Sequence, residues 1–363
     1  MTRTRKLLGA VLLSAVVAAN VVTTAFAADA TETYAYLPDR SVYFYDVTEN
    51  HGWAAQKIDS LAAAEVILGS GDYLFYPTNP ITRADFIVML DRAYGMSEAL
   101  ESGVVTAQGA FSDVPDNTYY TESIAAARAF GIAEGTEDNR FLPKQSMSRQ
   151  DAMVFLKRTL DLTQYTLDAG SLSGFSDAAQ VKDYAREAVS ALVGAGVIDG
   201  TDGRLNPGSN ITRAEMAVML YRATHLSAQD GSASYEERSD VVNVCIGAQT
   251  YTDVRIENYD PAVHYGELMR YSGLRQQGGA TYITLEYNQE IDRTVTYENG
   301  MFTFTDPDLD GTVTIPAAAD CVAVDVTETY HQLPRPVSTG DTYNYCYPSV
   351  ENGEVTVIYY TKA

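Results

Sequence analysis

Apolar positions recur at helical spacing through the first two-thirds of the chain and at strand-like spacing through the last third. Ala185, Val189, Leu192, Val193 and Val197 share one face of a predicted helix. Gly196 stands where that helix should stop, because glycine accepts the left-handed backbone of a C-terminal cap. Asp199-Gly200-Thr201-Asp202-Gly203 then supplies turn chemistry. A second helix is predicted from Thr212, whose hydroxyl can cap a backbone N–H while Glu215 completes a capping box. Thr82 with Asp85 and Ser148 with Asp151 repeat that box. The stripes behind the boxes are Phe86, Met89 and Leu90; Met153, Leu156 and Leu160; Met216, Met219 and Leu220. Beyond 240 the period changes. Residues 241–246, 251–256, 282–287, 294–297, 301–305, 322–326 and 355–360 are β-branched or aromatic runs. Asn299-Gly300 and Asn352-Gly353 signal tight hairpins. The expectation is a mostly antiparallel, sandwich-like all-β domain over 241–363, with one short helix over His264–Arg275. A polar linker is expected at 228–240.

The helical part contains one unit three times. Each copy opens on an aromatic-x-Asp: Phe44-Tyr45-Asp46, Phe111-Ser112-Asp113, Phe175-Ser176-Asp177. Each closes on a hydroxyl-Arg-x-acid: Thr82-Arg83-Ala84-Asp85, Ser148-Arg149-Gln150-Asp151, Thr212-Arg213-Ala214-Glu215. The arginines lie 66 and 64 residues apart, and a proline (Pro77, Pro143, Pro207) precedes each by six. A helix–loop–helix unit cannot bury its apolar face alone, so the three copies must pack together. Glu65 stands where the other copies have Gly131 and Gly196. A Glu adopts a left-handed cap at a cost, so the first helix is expected to end differently, at Gly69.

Charge and termini narrow the setting. The chain has 363 residues and a formal charge of −23, from 25 Lys+Arg against 48 Asp+Glu. Such acidity disfavours a nucleic-acid partner. Arg3, Arg5 and Lys6, the apolar run Leu7–Val22 and Ala25-Phe26-Ala27 read as an export signal (1–27) cleaved after Ala27. No membrane span is then expected in the mature chain. Cys245, Cys321 and Cys346 all lie in the last third; an exported protein can oxidise two of them and leave one over.

The triple motif resembles S-layer homology (SLH) domains, modules that hold exported bacterial proteins on the cell wall. Phe-x-Asp-Val, Trp-Ala, Gly-x-x-x-Gly, Phe-x-Pro and Ile-Thr-Arg-Ala-Asp/Glu occur in that order, from Tyr43 to His225. The resemblance implies an all-α pseudo-threefold helical prism, with repeats at 42–100, 109–165 and 173–227. It also implies grooves between repeats that bind an anionic, often pyruvylated, secondary cell-wall polysaccharide, and a place in a surface layer where copies self-associate.

The candidate ligand residues follow from both readings. Arg83, Arg149 and Arg213 occupy the first helical position, where unpaired N–H groups and the helix dipole favour an anion. Their planar forks suit a carboxylate; the alternative is that each pairs with a nearby acid and locks the loop. Trp53, Tyr119 and Tyr184 follow the Phe-x-Asp motifs by eight or nine residues and can stack on a sugar ring, or be core. Arg83 is expected to matter most if its groove holds Trp53. Asp46, Asp113 and Asp177 complete the set, as structural caps or Arg partners ahead of direct ligand contacts. Because the chain is acidic, affinity for an anion must come from short-range contacts.

Little else carries chemistry. Asp306-Pro-Asp308-Leu-Asp310-Gly311 has calcium-loop spacing, but Ala317 stands where a bidentate Glu is required, so a turn is expected. No catalytic motif, cofactor loop or metal cluster is recognised. The expectation is a non-catalytic, wall-anchored surface protein displaying its β domain. The alternative is a carbohydrate-active enzyme or carbohydrate-binding module in 241–363.

Overall fold

The computed structural model describes residues 34–361, apart from 39, 72, 107–108, 164, 230–231, 247–248, 259–267, 287–293, 306–311, 326–334 and 352–353. The export signal, the Asp306–Gly311 turn and the Asn352-Gly353 hairpin lie outside the described residues. Two compact units are formed, and their boundary does not follow the repeats. Of the described residues, one comprises Leu61–Leu68 and Tyr76–Glu237; the other comprises those from Tyr34 to Ser60, Gly69–Phe75 and those from Arg238.

Each repeat supplies a pair of helices: α1 (Gly52–Ala63) and α2 (Arg83–Tyr94), with a short α3 (Met96–Glu101) after them; α4 (Thr121–Ala129) and α5 (Arg149–Leu160); α6 (Asp183–Gly194) and α7 (Arg213–Thr224). A ring of backbone hydrogen bonds marks the pseudo-threefold centre of the first unit. Ile81 N–H donates to Ile211 O, Met147 N–H to Ile81 O and Ile211 N–H to Met147 O, each at 3.0 Å. All three side chains are buried. The equivalence of three residues 64–66 positions apart in sequence is thereby written into the backbone itself.

The motif residues shape the loop between the paired helices. A Cβ on Gly200 would sit 2.7 Å from the Phe175 ring, so the glycine lets the aromatic close onto the chain at a φ of 72°. Glu65 corrects the sequence reading. It adopts φ 58°, beside 74° and 69° at Gly131 and Gly196, and α1 ends with the same bonds as its counterparts. Val66 N–H returns to Leu61 O as Ile132 N–H does to Ala127 O and Val197 N–H to Leu192 O. The closing bonds impose the left-handed residue, and packing overrides the preference of an exposed Glu.

The expected linker is partly ordered. β2 (Ser227–Gln229) and β3 (Ser232–Ser234) form a hairpin, Ala233 N–H donates to Thr166 O, and Tyr235 N–H donates to Ala195 O.

The second unit holds β1 (Tyr34–Tyr36), β4 (Val241–Ile246), β5 (Gln249–Ile256), β6 (Leu268–Gln277) and β7 (Ala280–Glu286), closed in the order β1-β4-β5-β7-β6. It also holds β8 (Thr294–Glu298), β9 (Met301–Thr305), β10 (Thr312–Asp325), β11 (Arg335–Pro336), β12 (Thr342–Glu351) and β13 (Glu354–Thr361). Here β8-β9-β10-β13-β12 closes on itself through the β8–β12 pair, with β11 added outside β10. Both rings run first-second-third-fifth-fourth. In both, the one parallel pair joins third to fifth: β5 with β7, and β10 with β13. This is the Greek-key order of OB-type barrels.

A sandwich was expected, and two barrels are found. Alternating apolar residues fit either, and the parallel pairs that close a ring leave no mark on periodicity. Each ring has its own core, one around Val244, Val254 and Ile283, the other around Phe302, Tyr343 and Ile358. The helix expected at His264–Arg275 is instead strand β6 over its described part. Asn299-Gly300 makes the expected tight turn, with φ 51° and 79°. Cys321 and Cys346 are buried in the second core and form no disulfide among the described residues.

Candidate functional site

The three arginines start α2, α5 and α7, as predicted, but their helix termini are not open to an anion. Arg83 N–H donates to Gln145 O and Ala84 N–H to Pro143 O. Arg149 and Gln150 donate likewise to Ser209 O and Pro207 O, and Arg213 and Ala214 to Asn79 O and Pro77 O. Each helix start is thus capped by the loop starting at Pro77, Pro143 or Pro207 of the next repeat in the ring. The first two orphan donors of the helix are satisfied, so any anion must be met by side chains.

The guanidinium groups differ. Arg83 donates from Nε to Phe141 O at 2.9 Å, and its Cζ lies 4.9 and 5.0 Å from the Phe141 and Phe155 ring centres. Among the described residues its terminal nitrogens have no hydrogen-bond partner. Partial burial lowers its pKa from the ordinary value, and the fields of Asp151 and Asp113 oppose that shift. Arg149 donates from Nε to Leu205 O at 2.9 Å, but its Nη1 is paired with Glu215 at 2.8 Å and the residue is 8% exposed. Arg213 is half-buried.

The third-position acid explains the difference. Asp85 and Asp151 take the cap hydroxyl on one oxygen, Thr82 or Ser148 at 2.7 Å. Their other oxygen accepts a tyrosine hydroxyl: Tyr119 to Asp85 at 2.7 Å and Tyr184 to Asp151 at 2.6 Å. Glu215 is one methylene longer. It reaches back to Thr212 N–H at 2.9 Å, makes the complete capping box found at α7, and still meets Arg149. Three full boxes were expected; an aspartate is too short for the return bond, so α2 and α5 have half of one.

Trp53, Tyr119 and Tyr184 are 54%, 68% and 57% exposed, which excludes the core reading. Partial burial and the bond to Asp85 push the Tyr119 phenol up to about 12, and the same causes raise Tyr184. The aspartates of the Phe-x-Asp motif are loop clamps. Asp113 accepts Phe141 N–H at 2.8 Å and Leu142 N–H at 2.9 Å. Asp177 accepts Leu205 N–H at 2.9 Å and Asn206 N–H at 2.8 Å, and is 2% exposed. Asp46 accepts Phe75 N–H at 2.8 Å. Asp177 also lies 3.9 Å from the Arg204 guanidinium.

Arg83 and Tyr184 are brought together in a groove of about 300 Å³, with Asp151, Glu134, Phe155 and Arg158 in its walls. The aromatic that lines this groove with Arg83 is Tyr184, from the third repeat. Arg158 was missed in the sequence. It donates to Ile132 O at 3.1 Å and pairs with Glu134 at 3.1 Å. A signal existed: Arg92, Arg158 and Arg222 each stand nine residues after the capping-box arginine.

Three equivalent helix pairs closed by a ring of backbone bonds define a triple-repeat helical protein. The S-layer homology domain model matches residues 43–87, 110–153 and 174–217. The chain carries three S-layer homology domains. Relatives are matched over the repeats. An amylopullulanase of Thermoanaerobacterium thermosulfurigenes is 32% identical over 49% of this chain and 9% of its own length. The exoglucanase XynX of Acetivibrio thermocellus is 30% identical over 50% of this chain and 16% of its own. A surface-layer 125 kDa protein of Lysinibacillus sphaericus is 32% identical over 49% and 14%. The chain thus spans less than a fifth of these relatives. It is a cell-surface protein held at the bacterial wall. Among the described residues no helix is long and apolar enough to cross a membrane.

Proposed function

We propose that the groove of Arg83, Arg158 and Tyr184 is the principal site for an anionic, pyruvylated secondary cell-wall polysaccharide, and that the β unit is a non-catalytic module displayed from that anchor. The observation that carries this reading is the Arg83 guanidinium. It is oriented by Phe141 O and two rings, and its terminal nitrogens have no protein partner among the described residues. A planar fork held this way offers two parallel charge-assisted bonds to a sugar carboxylate. Tyr184 adds an exposed ring for the apolar face of the sugar.

The display reading of the β unit is preferred over a carbohydrate-binding one. OB-type barrels take ligands on the second and third strands, between the loop after the first strand and the loop before the fifth. In the first barrel that face carries α1. Asn243 of β4 donates to Gln56 O at 2.9 Å, and Ser60 reaches Asn243 Oδ1 at 3.2 Å. In the second barrel the loop after the first strand is the two-residue turn 299–300, too short to wall a ligand face.

Co-sedimentation with purified walls tests the site. The full chain should pellet with walls that retain their polysaccharide and stay in solution with walls from which it has been extracted. Arg83→Lys should restore only part of what Arg83→Ala removes, because charge returns without the fork. Equal pelleting with extracted walls would overturn the assignment.

A further inference from the structure

The two barrels explain each other. In the second, β8 closes the ring by pairing with β9 on one side and β12 on the other. In the first, β1 does the same: Tyr36 pairs with Cys245 of β4, and Tyr34, Ala35 and Tyr36 pair with Arg270, Met269 and Leu268 of β6. β1 is therefore an integral first strand. Two residues separate β8 from β9, whereas residues 37–240, with all three repeats, separate β1 from β4. The repeats are an insertion within a barrel, and the barrel is assembled from both sides of them.

Three further contacts hold the early segment in place. Leu37 is fully buried in the first barrel core beside Val242, Val244 and Leu285. The buried carboxylate of Asp59 on α1 accepts the Ser41 hydroxyl, and Val42 N–H at 2.9 Å, just after that strand. Asn243 marks an irregularity in the β4–β5 ladder, where its N–H meets Gln56 Oε1 at 3.2 Å and its Nδ2 meets Gln56 O. A five-strand ring lacking its first member would leave two unpaired edges, which ordinarily capture another strand.

We propose that residues 34–37 act as a strand clasp seated between β4 and β6, and that this clasp holds the C-terminal β chain to the N-terminal part of the protein independently of the covalent connection near 238. A proteolytic cut in the exposed segment 236–239 would then leave the displayed β unit attached.

The test uses the full chain with a specific protease site inserted after Glu237. After complete cleavage, the two fragments should co-elute in native buffer at the volume of the uncut protein and separate only in denaturant. Separation in native buffer immediately after cleavage overturns the proposal. Leu37→Asp, aimed at the core, and Ala35→Pro, aimed at the ladder, should each weaken the hold at least tenfold in the fragment dissociation constant. Cut forms of both variants that stay together as tightly as the parent would show that other surfaces do the holding, and would also overturn it. The readout needs no wall, so its failure is separable from failure of the polysaccharide site.

Discussion

Arg83 and Arg149 occupy the same position of the same helix in successive repeats, yet only one is available. Each donates its Nε to the carbonyl of the corresponding loop residue, Phe141 or Leu205, at 2.9 Å. Facing Arg83 is Asp151, whose oxygens are taken by Ser148 and Tyr184. Facing Arg149 is Glu215, long enough to close its own capping box and still form an ion pair. One methylene decides whether the arginine at this position is ion-paired or keeps its terminal nitrogens open among the described residues. Repeat symmetry fixes where a side chain starts, and the length of its neighbour fixes what it can do.

The largest effect that would sharpen this contrast is on stability. Arg149→Ala removes a half-buried ion pair and a bond to Leu205 O, so a loss of about 2 kcal/mol is expected. Arg83→Ala should cost about 1 kcal/mol less than that, since it loses the Phe141 O bond and its ring contacts but no ion pair. Chemical denaturation of the two variants measures both, and equal losses would break the contrast. Next comes Glu215→Asp. The shorter acid cannot reach Thr212 N–H and Arg149 together, so the arginine is released, and wall affinity should rise by roughly threefold to tenfold, about 0.7–1.4 kcal/mol. A wall-binding isotherm that does not move would mean that the ion pair is not what silences Arg149.

Glu65→Gly addresses the same theme at a helix end. Relieving an exposed left-handed Glu should stabilise by about 1 kcal/mol, read as a rise in Tm. A smaller effect concerns Asp59, whose complete burial outweighs its bonds from Ser41 and Val42 and raises its pKa from 3.8 to about 7. A raised acid pKa means that the native state holds the proton more tightly. Its contribution is full below the unfolded value and is lost as pH rises through about 7. Asp59→Asn should therefore flatten part of the fall in Tm between about pH 4 and 7. An unchanged pH profile would show that Asp59 titrates normally.

The sequence carried the repeats almost completely. Phe-x-Asp, the loop glycines and the hydroxyl-Arg starts mark residues whose roles are local, so spacing alone located α2, α5 and α7. Glu65 misled because closing bonds between Leu61 and Val66 impose a conformation that its own preference opposes. The site was half legible. Arg83 and Tyr184 could be nominated singly, but their pairing crosses from the first repeat to the third, and no periodicity encodes which repeats meet. The β region was legible as strands and not as barrels. β1 is only three residues long and lies on the other side of the repeats from β4, and the parallel β5–β7 and β10–β13 pairs resemble any other alternation.

The most direct test is a pair of equilibrium isotherms on one preparation of purified walls. Arg83→Ala and Arg149→Ala are measured separately, at a temperature where circular dichroism shows both folded. Arg83→Ala should weaken binding at least tenfold, about 1.4 kcal/mol. Arg149→Ala should stay within about threefold of the parent. Loss of binding in the Arg149 variant with retention in the Arg83 variant would contradict the account.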